Sequence, residues 1–350
     1  MTDMIEIDGS FGEGGGQIVR SSLALSLVTG RPFTLDNIRA GRKKPGLMRQ
    51  HLTAVRAAAQ VGQATVEGDA IGSRRLTFVP GEVTPGDYHF SIGTAGSTTL
   101  VLQTVLPALM VARGGSKLTL EGGTHNMFAP PFDFLQKTYL PLVCRMGPKI
   151  DAALNRPGFY PAGGGCFTVN VQPAESLERL ELDERGPIVS HRVRAIVANL
   201  PEHIARRECD AIAKKTNWDK SCFTIENVDG SRGPGNIVVI ELESASVTEV
   251  ITGFGKVGVK AEGVATKALQ EARHYIKADV PVGEHLADQI VLPMAIGAWQ
   301  GTGGGSFRTL GLSMHAKTHL KIIKTFLDIE ATVVQNGRDD CQVTIMPAVS

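Results

Sequence analysis

The stretch "SMHAKTH" (residues 313–319) sets His315 and His319 four residues apart. On a helix that spacing puts both rings on one face, about 5–6 Å apart at Cβ. A zinc pair of the H-E-x-x-H kind would need Glu after the first His, where Ala316 stands, and no third ligand follows at a fitting spacing. A core or surface position suits His319. His315 lies at the start of a helical run, after the glycine-rich "GTGGGSFRTLG" (301–311). A neutral imidazole there can attack phosphorus if an acceptor orients its other ring nitrogen.

"FGEGGGQIVRSS" (11–22) is the natural companion. Four of the five residues from Gly12 to Gly16 are glycine, and a helix is expected to begin directly after them. Unblocked amides at a helix N-terminus form an anion site. Glu13 could hold a divalent cation, and Arg20, one turn into the helix, could reach the same phosphate. A plain glycine turn with a solvated Glu fits the same letters. "IRAGRKKPGLMRQH" (38–51) carries Arg39, Arg42, Lys43, Lys44 and Arg49 with no acid, and Gln50 and His51 open a helix after the Pro45–Gly46 turn. Such a cluster suits a polyanion such as RNA, or is a solvated basic loop. Gln103, Asp288 and Gln289 interrupt otherwise apolar helices. An unpaired buried carboxylate is costly, so Asp288 is expected to face a partner or a site, whereas Gln103 also fits a helix surface. Neither a Walker nor a Rossmann glycine motif is present.

Three stretches read alike. Each has a glycine-containing lead-in, an apolar helical run and a second, amphipathic run: 12–30 with 44–62, 93–112 with 129–147, and 283–299 with 313–327. Short alternating segments between them ("RRLTFVP", "KLTLEGG", "CFTVNVQP", "CQVTIMP") read as strands. The fold class is therefore α/β (α+β): three repeated units of two helices packed on a sheet. Residues 185–280 break the pattern with strands at "SHRVRAIVANL" and "NIVVIELES" and helices at "EHIARRECDAIAKKT" and "GVATKALQEARHYIK". They read as a small inserted α/β domain, or as a fourth repeat without the glycine lead-in. On the first reading, 1–184 and 281–350 form the large repeat domain that carries the active site.

The bulk numbers bound the rest. Of 350 residues, 42% are hydrophobic and only 5% aromatic, so aliphatic side chains must fill the core. A net charge of +1 makes any nucleic-acid contact local. Five scattered cysteines without a C-x-x-C pair suggest free buried thiols in a reducing, cytoplasmic setting. The N-terminus lacks a signal-peptide pattern, and the longest apolar run, "LVLQTVLPALMVA", falls short of the ~20 residues a membrane span needs.

The chain resembles the RNA 3′-terminal phosphate cyclase family over nearly its full length. The motifs that carry the resemblance are "DGSFGEGGGQIVR", "IRAGRKKPGLMRQHLTAV", "GTAGSTTLVLQTVLPAL", "GGTHNMFAPPFDF", "GFYPAGGGC", "RGPGN", "GEHLADQIVLPMA" and "SMHAKTH". The resemblance implies three repeats like the C-terminal domain of a translation initiation factor, plus one inserted domain. It implies ATP and Mg2+ or Mn2+ as cofactors and RNA with a 3′-terminal phosphate as substrate. His315 would attack ATP to form a histidine–AMP; AMP would pass to the RNA 3′-phosphate, and the neighbouring 2′-hydroxyl would displace it, leaving a 2′,3′-cyclic phosphate. By the same resemblance Glu13 would bind the metal, and Arg20, Arg39, Arg42 and Gln50 would hold triphosphate or RNA phosphate. Gln103, Pro130, His285, Leu286, Ala287, Asp288 and Gln289 would line the nucleotide site. The family usually has Tyr in place of His285 and Asn in place of His319. A non-catalytic RNA-binding ribosome-assembly scaffold of the same fold is the alternative, though such relatives lack the nucleophilic histidine. An enolpyruvyl-transferase-like metabolite enzyme is a further one, which the basic loop argues against.

Overall fold

A computed structural model describes residues 3–348. Its first unit runs β1 (Ile5–Asp8), α1 (Gly16–Thr29), β2 (Phe33–Asp36), α2 (Arg49–Val61), β3 (Thr65–Glu67) and β4 (Leu76–Val79). The second runs β5 (Asp87–Ser91), α3 (Thr98–Leu109), β6 (Ser116–Gly122), a helical stretch made of α4 (Phe132–Phe134), a π turn (Leu135–Tyr139) and α5 (Leu140–Cys144), then β7 (Lys149–Arg156) and β8 (Gly165–Gln172). Pro141 explains the π turn. It has no N–H to give back along the helix, and Leu140 N–H reaches Leu135 O instead.

β9 (Leu180–Leu182) comes next, followed by a separate sheet of β10 (Ile188–Ala198), β11 (Phe223–Asn227), β12 (Gly235–Ser244) and β13 (Thr248–Phe254). That sheet carries α6 (His203–Ala213) and α7 (Ala261–Ala278) and has a core of its own around Val238, Ile240, Ala268 and Leu269. The third unit resumes with α8 (Glu284–Trp299), β14 (Gly305–Thr309), α9 (Met314–Phe326), β15 (Ile329–Gly337) and β16 (Asp340–Pro347).

The sheet orders are β1-β2-β4-β3, β5-β6-β8-β7 and β9-β14-β16-β15, one topology used three times. In each the first pair is parallel and the others antiparallel. β9 precedes the segment 185–280 yet pairs with β14, so that segment interrupts the third unit rather than separating it from the second. A three-residue strand such as β9 leaves too little alternation to fix its pairing from sequence. The α1, α3 and α8 runs superpose by position. "QTVLP" in α3 and "QIVLP" in α8 set Gln103 and Gln289 at the sixth residue of their helices, where α1 has Ser21. α8 is buried almost all round, and its aliphatics join the main core with those of α1 and α3. The aromatic-poor composition is thus met by close helix packing. All five cysteines are free, Cys209 and Cys341 buried and the others half-buried. No helix among the described residues is long and apolar enough to cross a membrane.

Candidate active site

The glycine run lies on α9. Gly12 has φ +60°, and a Cβ there would sit 2.2 Å from Thr318 Oγ1. Gly15 is the N-cap of α1 and offers no side-chain cap, so the first amides of α1 face outward unblocked. Gly16, the first residue of α1, lies against α2: its absent Cβ would fall 2.2 Å from His51 Nε2. Glycine here serves close approach of helices and leaves backbone N–H groups for an anion.

Across the loop stands His315, second residue of α9. Its Nδ1 meets a Glu13 carboxylate oxygen and lies 3.1 Å from Gln17 Oε1. Both partners are acceptors, so Nδ1 carries the proton and Nε2 keeps its lone pair. Burial holds the ring below the ordinary imidazole range; Asp288 offsets part of this, and Arg42 and Arg20 add to it. The other Glu13 oxygen is ion-paired with Arg42. Ser313 caps α9 by accepting the Ala316 N–H at 3.0 Å, while its own hydroxyl donates to Asp288 Oδ1 at 2.7 Å. Burial raises Asp288 above the usual carboxylate range, with Ser313 pulling it back. His319 Nδ1 bonds Asp288 O at 2.9 Å, and burial lowers the ring to about 4. It is the core histidine of the pair.

The remaining expected residues divide. Gln103 Nε2 donates to Gln289 Oε1, joining the equivalent positions of two repeats. These two, with Gln17, Arg20, Tyr139, Asp288 and His319, line a small cavity between the helices. Half-buried Arg20 is lowered to about 10 by desolvation. Gln50 Oε1 accepts the Ser97 N–H at 2.7 Å, tying the start of α2 to the N-cap of α3. Arg39 is turned inward, only 9% exposed, its Nη1 donating to the carbonyls of Lys44 and Gly46 at 2.8 and 2.7 Å. Pro130 O accepts from Thr99 Oγ1 at 2.7 Å. His285 is exposed, with Glu271 3.8 Å from its Nε2. Leu286 and Ala287 are buried in the core, so their side chains are not open to a ligand. Sequence reading passed over Gln17, Tyr139 and Ser313. Only Ser313 had a signal, as a capping residue just ahead of a helical run.

A family model described as RNA 3′-terminal phosphate cyclase matches residues 11–333. The chain belongs to that family. A curated protein of Koribacter versatilis (strain Ellin345) named "RNA 3′-terminal phosphate cyclase" is 51% identical over 327 residues, 93% of this chain and 91% of the relative. One of the same name from Ectopseudomonas mendocina (strain ymp) is 46% identical over 333 residues, 95% of each chain. The relatives carry the name of an enzyme, and this chain is an enzyme of their family.

Among the described residues, no group of three or more His, Cys, Asp or Glu side chains is arranged to hold a metal ion. The donors at the loop are the Glu13 carboxylate and the Gln17 amide oxygen, both beside His315. A hard cation that takes one or two protein oxygens and draws its other ligands from phosphate and water fits that set.

Proposed function

We propose that the enzyme converts an RNA 3′-phosphate to a 2′,3′-cyclic phosphate at the expense of ATP, through an adenylated His315. The observation that carries this reading is the pair of acceptors, Glu13 and Gln17, held against His315 Nδ1 at the mouth of an uncapped glycine loop. They fix the tautomer in which Nε2 is the nucleophile. Nε2 forms a bond to the α-phosphorus of ATP, the bond to the bridging oxygen breaks, and pyrophosphate leaves. An oxygen of the RNA 3′-phosphate then attacks the same phosphorus, releasing the imidazole. Last, the 2′-hydroxyl attacks the RNA phosphorus and loses its proton as AMP departs. That hydroxyl sits on the same ribose, so the step is intramolecular and needs little further positioning.

The chain's own residues supply orientation and charge. The α1 amides and Arg20 face the phosphates, Arg42 adds positive charge, and Asp288 holds α9 in place through Ser313. Arg39 acts one step back, by bracing the 39–46 loop. A Mg2+ or Mn2+ ion would be held by Glu13 with Gln17 and would neutralise phosphate charge. Pro130, His285, Gln103 and Gln289 would hold the nucleoside. In this reading 1–184 and 281–350 carry the site, and 185–280 is an inserted unit. Five free thiols suit the reducing cytoplasm.

The test is incubation with ATP labelled at the α-phosphate, divalent metal and no RNA. Acid-labile, alkali-stable label on the protein supports the mechanism. Its absence would return the chain to the scaffold alternative.

Two outcomes follow for the wild type and one variant. The nucleophile must be neutral, and the folded enzyme lowers its proton affinity. Single-turnover adenylation should therefore rise with pH through an apparent pKa below 6.5 and stay flat above it. A midpoint above that value would place the titrating group elsewhere. Arg42→Ala should weaken RNA binding and flatten its dependence on log salt by about 0.7 for the lost phosphate contact. An unaltered slope in a binding titration removes Arg42 from the RNA path.

A further inference from the structure

Three family motifs, "GGTHNMFAPPFDF", "GFYPAGGGC" and "RGPGN", contribute only Pro130 to the adenylation chemistry proposed above, yet the fold gathers them on one rim. His125 and Phe159 form a parallel β-bridge and their rings stack at 5.1 Å. From that bridge, the strips Asn126–Phe128 and Tyr160–Ala162 each lead into a tight turn, closed by the Ala129 N–H on Asn126 O at 3.3 Å and by the Gly163 N–H on Phe159 O at 2.7 Å. Both strips back onto the loop before α3. Asn126 Nδ2 donates to Ala95 O at 2.8 Å, and Gly163 lies so close to Thr94 and Ala95 that a Cβ would come within 2.8 Å of three backbone atoms. The "RGPGN" turn covers the far side. Arg232 spans Gly164, Gly233 abuts Ala162, and Arg156, whose Nε donates to Gly164 O at 2.7 Å, packs beside Gly230.

The side chains on this rim are unusual for a protein with so few aromatics. Phe128 is 93% exposed and Tyr160 78%. Arg232 is exposed and makes no side-chain hydrogen bond or ion pair with the described residues, and Arg156 keeps its Nη groups uncommitted. Asp229 is an acid on the same turn. Two exposed rings beside one bridge offer flat faces on which an unpaired base can stack. The free guanidinium groups beside them call for negative charge. Single-stranded RNA has both, with bases to stack and phosphates to pair.

The rim is also continuous with the site. The Gln50–Ser97 bond joins the loop under Asn126 to the start of α2, where His51 stands against Gly16 of the glycine run. Pro130 follows Phe128 by two residues. We propose that Phe128 and Tyr160, flanked by Arg156 and Arg232, form a stacking platform for the unpaired nucleotides immediately 5′ of the RNA's terminal phosphate. The platform rests on the cyclase reading for the direction of the strand. It gives the basic 39–49 loop and the rim one continuous polyanion to share.

The test uses 3′-phosphorylated oligonucleotides of roughly two to eight nucleotides, assayed for binding by fluorescence anisotropy and for cyclisation. In the wild type, affinity and kcat/KM should climb with length. Phe128→Ala and Tyr160→Ala should each lose about 5- to 100-fold on the longer oligonucleotides, little on the shortest, and nothing in adenylation by ATP without RNA. Phe128→Tyr and Tyr160→Phe should retain the length effect, since either ring offers a face. Arg232→Ala should shift the salt dependence without changing that profile. Equal affinity of wild type and alanine variants at every length overturns the platform, as does a fall in RNA-free adenylation. A wild type that binds the oligonucleotides with length dependence but never adenylates would sink the cyclase reading and leave the platform standing.

Discussion

His315→Ala should lose histidine adenylation outright and slow overall cyclisation by about 10⁴-fold or more, the scale on which removing a nucleophile acts. The same variant should still close an RNA that is supplied already adenylated at its 3′-phosphate, at close to the wild-type rate. The reason is a division of labour among the steps. The imidazole is needed to take AMP from ATP and to hand it on. The 2′-hydroxyl attack that follows uses an AMP leaving group already in place and a hydroxyl on the same ribose. What that last step needs from the protein is the α1 amides and the arginines around them, and His315→Ala leaves those intact: the ring is half-exposed and its Nδ1 is held by Glu13 and Gln17. Rapid-quench kinetics on the two substrates decide the matter. Equal losses on both would mean that His315 acts throughout as a charge or a base, not as the carrier of AMP. Glu13→Gln makes a useful companion, since an amide can still accept from Nδ1 but carries no charge for a metal.

How much of this could be read from the letters depends on the physical signal each feature leaves. The paired helices of every unit were legible because a 3.6-residue apolar rhythm sustained over a dozen residues has few competing explanations. Leading strands such as "IEID" and "FTLD" were not, since they alternate apolar and polar residues over only four positions, too short a run to stand out from chance. The glycine loop and His315 stood out by residue type, and the repeat logic was enough to expect them together. The orienting acceptor could not be seen. Gln17 becomes a partner of His315 only because α1 and α9, 298 residues apart in sequence, lie side by side. Arg39 shows the opposite case. A basic cluster reads the same whether each side chain faces outward or is folded beneath its own loop, and Arg39 is folded beneath. In "HLADQ" the helical turn separates Leu286 and Ala287, which enter the core, from Asp288 and Gln289, which reach the site.

Gly16→Ala should damage the enzyme, against the trend for its backbone position. Alanine is the better helix former by about 1 kcal/mol, and Gly16 opens α1 with no positive φ that would penalise a side chain. On backbone grounds the substitution should stabilise. The neighbours reverse the sign. The new Cβ would lie 2.2 Å from His51 Nε2 and 2.8 Å from its Cδ2, with Arg20 Nη1 at 3.2 Å. His51 cannot easily retreat: the ring is buried, and its Nδ1 accepts the Met48 N–H at 3.3 Å in capping α2. Either α1 shifts away from α2 or the imidazole leaves its cap. Overpacking of this kind costs typically 1–3 kcal/mol. A displacement of α1 by even an ångström also moves the amides, Glu13 and Gln17 relative to His315, enough to slow adenylation by about 100-fold. Thermal unfolding and single-turnover adenylation measure the two effects separately. Adding His51→Ala to Gly16→Ala gives the decisive comparison, because it reopens the space the methyl group needs. If the collision is the cause, the double variant should recover both stability and rate beyond what His51→Ala alone predicts by additivity. If the two losses simply add, the strain lies somewhere other than the α1–α2 contact.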